Sequence, residues 1–215
     1  MHMKLIIGNK NYSSWSLRPW LLMRANQIEF NEVNESLQQK GIKKRLGQYS
    51  GSCKVPVLID QGVKIWDSLA ICEYISETCL AGKGWPVAAE DRAVARSVCA
   101  EMHSGFTALR TELPMNCKLS KPMVLSKAAQ DEVQRIETIW SQYAKQAQCG
   151  NLFLFGSFGI ADCFYAPIAL RFKSYGVELS DKAAQYQRSI LSHPSMREWV
   201  EAAFQEIDIV PENEV

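Results

Sequence analysis

Residues 4–26 read KLIIGNKNYSSWSLRPWLLMRAN. The segment opens on a short apolar run, residues 4–8, with the length and composition of a buried strand. Residues 9–16 are polar and turn-like. Residues 17–26 carry apolar side chains at helical spacing. Pro19 falls early enough to sit in a first turn, where its missing N–H removes no hydrogen bond. A strand, a polar turn and a helix in this order predict the start of an α/β unit.

The pattern continues outward from there. Residues 30–33 predict a second strand, and the polar, basic residues 36–52 a loop with a short helix. Residues 55–59 (VPVLI) predict a strand, Gly62 a turn, and residues 63–66 the return strand of a hairpin. Asp67-Ser68 then precedes an apolar-periodic helix over residues 69–79. The expected order is β-α-β-α-β-β-α around a mixed sheet, with this domain over residues 1–82. Lys83-Gly84-Trp85-Pro86 begins a linker, residues 83–89, where Gly and Pro interrupt periodicity. Residues 90–215 read as an all-helical second domain. Residues 91–109, 127–146, 160–175, 182–191 and 195–207 all repeat apolar residues at i, i+3 and i+4. Breaks fall at Leu113-Pro114, Cys149-Gly150, Gly176 and His193-Pro194, and no strand-like alternation is visible.

Composition narrows the function classes. The chain has 215 residues, 47% hydrophobic and 22% charged, with a formal net charge of +1. That is too apolar for disorder and too neutral for a general nucleic-acid binder or an electrostatically held membrane protein. No apolar run approaches the roughly 18 residues of a membrane span, and the first residues lack a signal-peptide pattern. The seven cysteines are scattered, with no Cys-x-x-Cys, and there are three histidines. Free thiols in a reducing cytoplasm are expected, with no metal centre.

Four motifs carry chemistry or architecture. Tyr12-Ser13-Ser14-Trp15-Ser16-Leu17-Arg18 stands at the first strand-to-helix junction. Lys54-Val55-Pro56-Val57-Leu58 leads into an inner strand. Asp67-Ser68-Leu69-Ala70-Ile71 starts a helix directly after a strand, and Phe158-Gly159-Ile160-Ala161-Asp162 starts one in the second half. In that order, on these two domain styles, they resemble the cytosolic glutathione transferase superfamily over essentially the whole chain. The first motif is similar to the Ser-Ser-Cys-Ser-x-Arg motif of the zeta class, with Trp15 in place of its cysteine. The resemblance implies a thioredoxin-like domain followed by a helical bundle, a homodimer, glutathione as co-substrate and a detoxifying transferase.

The residue chemistry agrees with what the resemblance implies. A free thiol has a pKa of about 8.5, and a hydroxyl aimed at the sulfur favours the anion. The start of the first helix adds partial positive charge. Ser13 and Ser14 are therefore the candidate catalytic residues for stabilising the glutathione thiolate. The family pattern favours Ser13, and the alternative for both is to cap the helix. Arg18 is either near the site or a solvated helix arginine. Trp15, Lys40, Lys54, Val55, Pro56, Asp67 and Ser68 are the candidate glutathione-binding residues. The family's proline here is cis, which would leave the Val55 N–H and C=O to pair with a peptide ligand. Asp67 and the helix start at Ser68 suit the ammonium and carboxylate of a γ-glutamyl head; an ordinary N-cap is the alternative. Lys40 or Lys54 can hold the glycine-end carboxylate. Gly159 to Asp162 reads as half of a capping box, a structural feature. Trp15, Trp20 and residues 102–106 either line an acceptor pocket or belong to the core, and His103 reads as a packed or surface histidine. The expected partners are glutathione and a small hydrophobic electrophile, with no nucleic acid and no membrane. Two alternatives stay open: a zeta-type glutathione-dependent isomerase or dehalogenase, and a non-catalytic binding or regulatory protein on the same fold.

Overall fold

A computed structural model describes residues 3–37 and 41–214. The N-terminal part runs β1 (Met3–Gly8), α1 (Ser14–Ala25), β2 (Phe30–Glu35), α2 (Ile42–Gly47), β3 (Val57–Asp60), β4 (Val63–Trp66) and α3 (Ser68–Cys79). The sheet order is β2-β1-β3-β4, with β1 and β2 parallel and β3 antiparallel to both neighbours. This is the mixed sheet and the element order that the sequence predicts. Strand alternation divides the apolar residues between two faces. Leu5, Ile7 and Leu58 join the main core with α1 and α3, while Ile6 and Val57 pack with Leu46 of α2 on the other face. The Val55-Pro56 peptide is cis, as the resemblance implies.

The C-terminal part is helical: α4 (Ala89–Ser104), α5 (Thr107–Glu112), α6 (Lys127–Tyr143), α7 (Ile160–Ser174), α8 (Asp181–Ser192) and α9 (Pro194–Gln205). Two details depart from expectation. The helix expected over 91–109 is broken, because Gly105 is extended and Phe106 takes a left-handed φ of 58°. The helix expected to run to residue 146 stops at Tyr143 and gives way to an antiparallel hairpin, β5 (Ala144–Gln146) with β6 (Leu152–Leu154). Strands of three residues are too short to display a period of two. No helix among the described residues is long and apolar enough to cross a membrane.

Helix α7 is the central element. Almost every residue from Ile160 to Ser174 is buried, because α1, α4 and α8 all pack against it. Trp140 of α6 meets Tyr165 and Phe172 of α7 and Tyr186 of α8, with ring centroids 4.8–6.3 Å apart. The start of α7 also docks on the segment joining the two parts. Gly84 O accepts from Ile160 N at 3.0 Å. A Cβ on Gly159 would lie 2.9 Å from Gly84 O, and one on Gly84 would lie 2.8 Å from Ser76 Oγ and 3.0 Å from Ile160 Cδ1. Glycine is required at both positions by close approach. Gly84→Ala is expected to destabilise the fold by about 1–3 kcal/mol through overpacking, read as a lower unfolding midpoint in urea.

Candidate functional site

The loop between β1 and α1 is shaped from far away in sequence. Ser13 N and Tyr12 N turn back onto Asn9 O. Lys10 O accepts from Trp199 Nε1 at 2.9 Å, and the Glu206 carboxylate accepts from Lys10 N and Asn11 N at 2.7 and 3.0 Å. The Asp208 carboxylate receives Asn9 Nδ2, and that of Glu214 the Tyr12 hydroxyl. Residues 206–214 thus strap the loop that delivers the two serines.

Those serines have different surroundings. Ser13, at the N-cap position, makes no side-chain capping bond. It is buried, and its hydroxyl donates to Ser16 Oγ at 2.7 Å; Ser16 Oγ also accepts from Gly8 N at 3.1 Å. Ser14, the first residue of α1, is half-buried, and its Oγ accepts from Arg171 Nη2 at 3.3 Å.

Beside Ser14, Trp15 enters a cavity of about 490 Å³ that Lys54, Val55, Pro56, Asp67, Ser68 and His103 also line. Asp67 caps α3: its Oδ1 accepts from Leu69 N at 2.8 Å. It does so at a φ of 78°, an uncommon conformation for a residue with a side chain. Its other oxygen, Oδ2, lies 3.1 Å from His103 Nε2. Ser68 is buried and its Oγ accepts from Arg18 Nη1 at 3.4 Å. Val55 stands outside the β3 ladder. Burial lowers the His103 pKa, and Arg18 and Arg110 add to that; Asp67 opposes it.

Three arginines converge behind this wall. Arg18 is 2% exposed, with its guanidinium carbon 4.2 Å from the Trp15 ring centre and 4.4 Å from that of Phe164. Arg110, half-buried on α5, lies 4.8 Å from the same Trp15 ring. Arg171 on α7 is 7% exposed. Burial and the neighbouring cations lower Arg18 to about 9 and Arg171 to about 10, so both remain protonated at neutral pH.

The structure therefore brings Trp15, Lys54, Val55, Pro56, Asp67 and Ser68 to one cavity. Ser13 and Ser14 are not among the residues lining it; Ser14 stands next to it along the chain. The N-cap alternative holds for Asp67 and not for Ser13 or Ser14. Lys40 lies outside the described residues. Arg18 is packed between aromatic rings, not solvated. Trp20 is core, packed on Trp199. His103 is packed, as the sequence reading allows, with its ring against Trp15 and Phe164, and it also lines the cavity and lies against Asp67. Arg110 and Arg171 were not singled out from the sequence. The available signal was an arginine inside a helix, α7, that is apolar on nearly every side.

A model for the glutathione S-transferase N-terminal domain matches residues 12–78, and one for the glutathione S-transferase C-terminal domain matches residues 126–202. Among solved structures, a glutathione transferase homolog from Burkholderia gl BGR1 with bound glutathione is similar at 21% identity. The alignment covers 96% of this chain and 100% of that one, with a TM-score of 0.74. A diazinon-metabolizing glutathione S-transferase from the silkworm Bombyx mori is similar at 16% identity, covering 94% and 97%, with a TM-score of 0.72. Ure2p in complex with glutathione is similar at 14% identity, covering 93% of each chain, with a TM-score of 0.70.

Proposed function

From the premise that this chain belongs to the glutathione S-transferase superfamily, we propose that it binds glutathione in the Trp15–Pro56–Ser68 cavity and transfers its sulfur to a small electrophile. The single observation that carries this reading is the direction of the hydrogen bonds at the two serines. A guanidinium has donors and no acceptor. The Ser14 oxygen therefore accepts from Arg171, and its own proton remains free to donate to a sulfur. The Ser13 proton is already committed to Ser16. Ser14 is thus the hydroxyl that holds the thiolate, whereas the family pattern alone favoured Ser13.

Each end of the tripeptide has a chemical match. Asp67 keeps lone pairs beyond its bonds to Leu69 and His103, enough to receive the γ-glutamyl ammonium. The Ser68 N–H at the head of α3 suits the adjacent carboxylate. Val55 has its backbone outside the ladder and can pair with the cysteinyl unit as an added strand would. Exposed Lys54 suits the glycine-end carboxylate. In the reaction the thiolate attacks an electrophilic carbon, a C–S bond forms, and a leaving group such as halide departs with its electron pair. The thiol proton passes to solvent. Residues 1–82 supply the glutathione half of the site and residues 90–215 the acceptor half, joined through residues 83–89.

Retention on immobilised glutathione, followed by conjugation of 1-chloro-2,4-dinitrobenzene, tests this reading. The protein should be retained and should release chloride from the aryl halide. Asp67→Ala should weaken glutathione about tenfold or more in a calorimetric titration, the size of one lost charged hydrogen bond. Failure of the folded wild-type protein to bind glutathione would overturn the proposal.

A further inference from the structure

Arg18, Arg110 and Arg171 bring three positive charges to one small volume, where Arg110 and Arg171 both depress Arg18, and Arg110 depresses Arg171. Among the described residues no carboxylate comes within 4 Å of any of them. Other part-buried cations here have such partners: Lys10 pairs with Glu32, and Arg45 with Glu35 at 2.9 Å. Glu132 is the carboxylate that acts on Arg110, but its oxygens accept from Ala108 N and Leu109 N at 3.4 and 2.7 Å. The Nε atoms of Arg18 and Arg171 are buried with no hydrogen-bond partner. Uncompensated buried charge is costly, and unsatisfied buried donors are uncommon enough to require a reason. A resident anion supplies one.

Position says which anion. Arg171 reaches Ser14 from α7, and Arg110 flanks Trp15 from α5. Both belong to the helical half, whereas Asp67, Ser68 and Val55 belong to the other. Trp15 and Phe164 add aromatic surface beside the guanidinium groups. We propose that Arg110 and Arg171, backed by Arg18, form a subsite for a carboxylate on the acceptor, so that the electrophiles this protein takes are anionic. A planar guanidinium suits a carboxylate in a two-pronged arrangement. The inference rests on the reading of Ser14 as the thiolate-holding residue, because it places the carboxylate next to the reacting sulfur.

Two measurements test it, one of which needs no turnover. The first is calorimetric binding of 4-nitrobenzoate and of nitrobenzene to the full chain. The carboxylate should bind at least tenfold more tightly, and Arg110→Gln should remove that preference while Arg110→Lys keeps part of it. The second is glutathione conjugation of 4-chloro-3,5-dinitrobenzoate against 1-chloro-2,4-dinitrobenzene; in both, sulfur displaces chloride from the ring. Arg110→Gln should lower the ratio of the two kcat/KM values by about tenfold to a hundredfold, mainly through KM for the anionic acceptor. Thermal melts confirm that the variants are folded. A wild-type protein that binds nitrobenzene as well as 4-nitrobenzoate would overturn the inference, as would a ratio unmoved by Arg110→Gln. Loss of glutathione binding would instead sink the transferase reading, while the 4-nitrobenzoate titration would still report on the arginines.

Discussion

Ser14→Ala should reduce kcat/KM for 1-chloro-2,4-dinitrobenzene about a hundredfold at pH 6.5, with glutathione affinity far less affected. The hydroxyl is the free donor at the head of α1, and its oxygen is polarised by the Arg171 guanidinium 3.3 Å away. Removing one oriented donor from a developing or resident anion costs about 10²–10³ in rate. The same loss should appear as a change in the bound thiol. Its pKa should rise by about 1–2 units, because a hydrogen bond to a charged group is worth about 1.5–3 kcal/mol and each unit is about 1.4 kcal/mol. Ultraviolet difference titration of the thiolate, with glutathione bound, measures it. The sign fixes the profile: the variant should recover toward wild type as pH rises above the new pKa. Ser13→Ala is the contrasting variant. Its hydroxyl is turned inward to Ser16, so it should cost stability and leave the thiol pKa in place. If Ser13→Ala abolishes the thiolate band and Ser14→Ala does not, the two roles are reversed.

The largest expected effect on stability lies at Asp162. Its carboxylate is fully buried and accepts from Leu154 N at 2.9 Å, Gly159 N at 3.0 Å and the Tyr186 hydroxyl at 3.1 Å. Gly159 offers no hydroxyl in return, so half of a capping box is present. The single side chain nonetheless joins the start of α7, strand β6 and helix α8. Asp162→Ala should leave these donors unpaired in the core and cost about 3 kcal/mol or more, a drop of roughly 10 °C in Tm for a chain of this size. There is also a pH signature. Burial pushes Asp162 up to about 7 against the pull of its three donors. Between its ordinary value of 3.8 and about 7, the folded protein holds a proton that the unfolded chain has released. Its contribution is therefore fullest below about pH 4 and declines as pH rises through 7. Comparing urea unfolding of wild type and Asp162→Asn from pH 8 to 5, the wild type should gain stability on acidification that the variant lacks. Parallel curves would mean that Asp162 is ionised throughout.

The α/β half was legible because residues 4–8 and 55–59 are compact apolar runs and the hairpin turn is marked by Gly62. The helical half was legible in its helices. So were the breaks at Pro114, Gly176 and Pro194, but two others were not, since the one at Phe106 follows from a left-handed residue with no glycine at that position, and the hairpin from strands of three residues. Among site residues, Val55, Pro56, Asp67 and Ser68 announced themselves through motifs at element starts. Which serine is free could not be read, because the answer depends on Arg171, 157 positions away along the chain. The arginine cluster was hidden for the same reason. Arg18, Arg110 and Arg171 are ordinary in their own helices and become unusual only when three helices bring them around one tryptophan ring. The contact of His103 with Asp67 was hidden in the same way, since the two sit in different halves.

The strap over the Asn9–Tyr12 turn has a consequence for the order in which competence is acquired during synthesis. A chain translated only as far as Gln205 already contains every strand and α-helix of the described fold. It still lacks the carboxylates of Glu206, Asp208 and Glu214 that grip the turn before the serines. Every strand and α-helix can thus be present before the residues that set the turn ahead of the serines have been added.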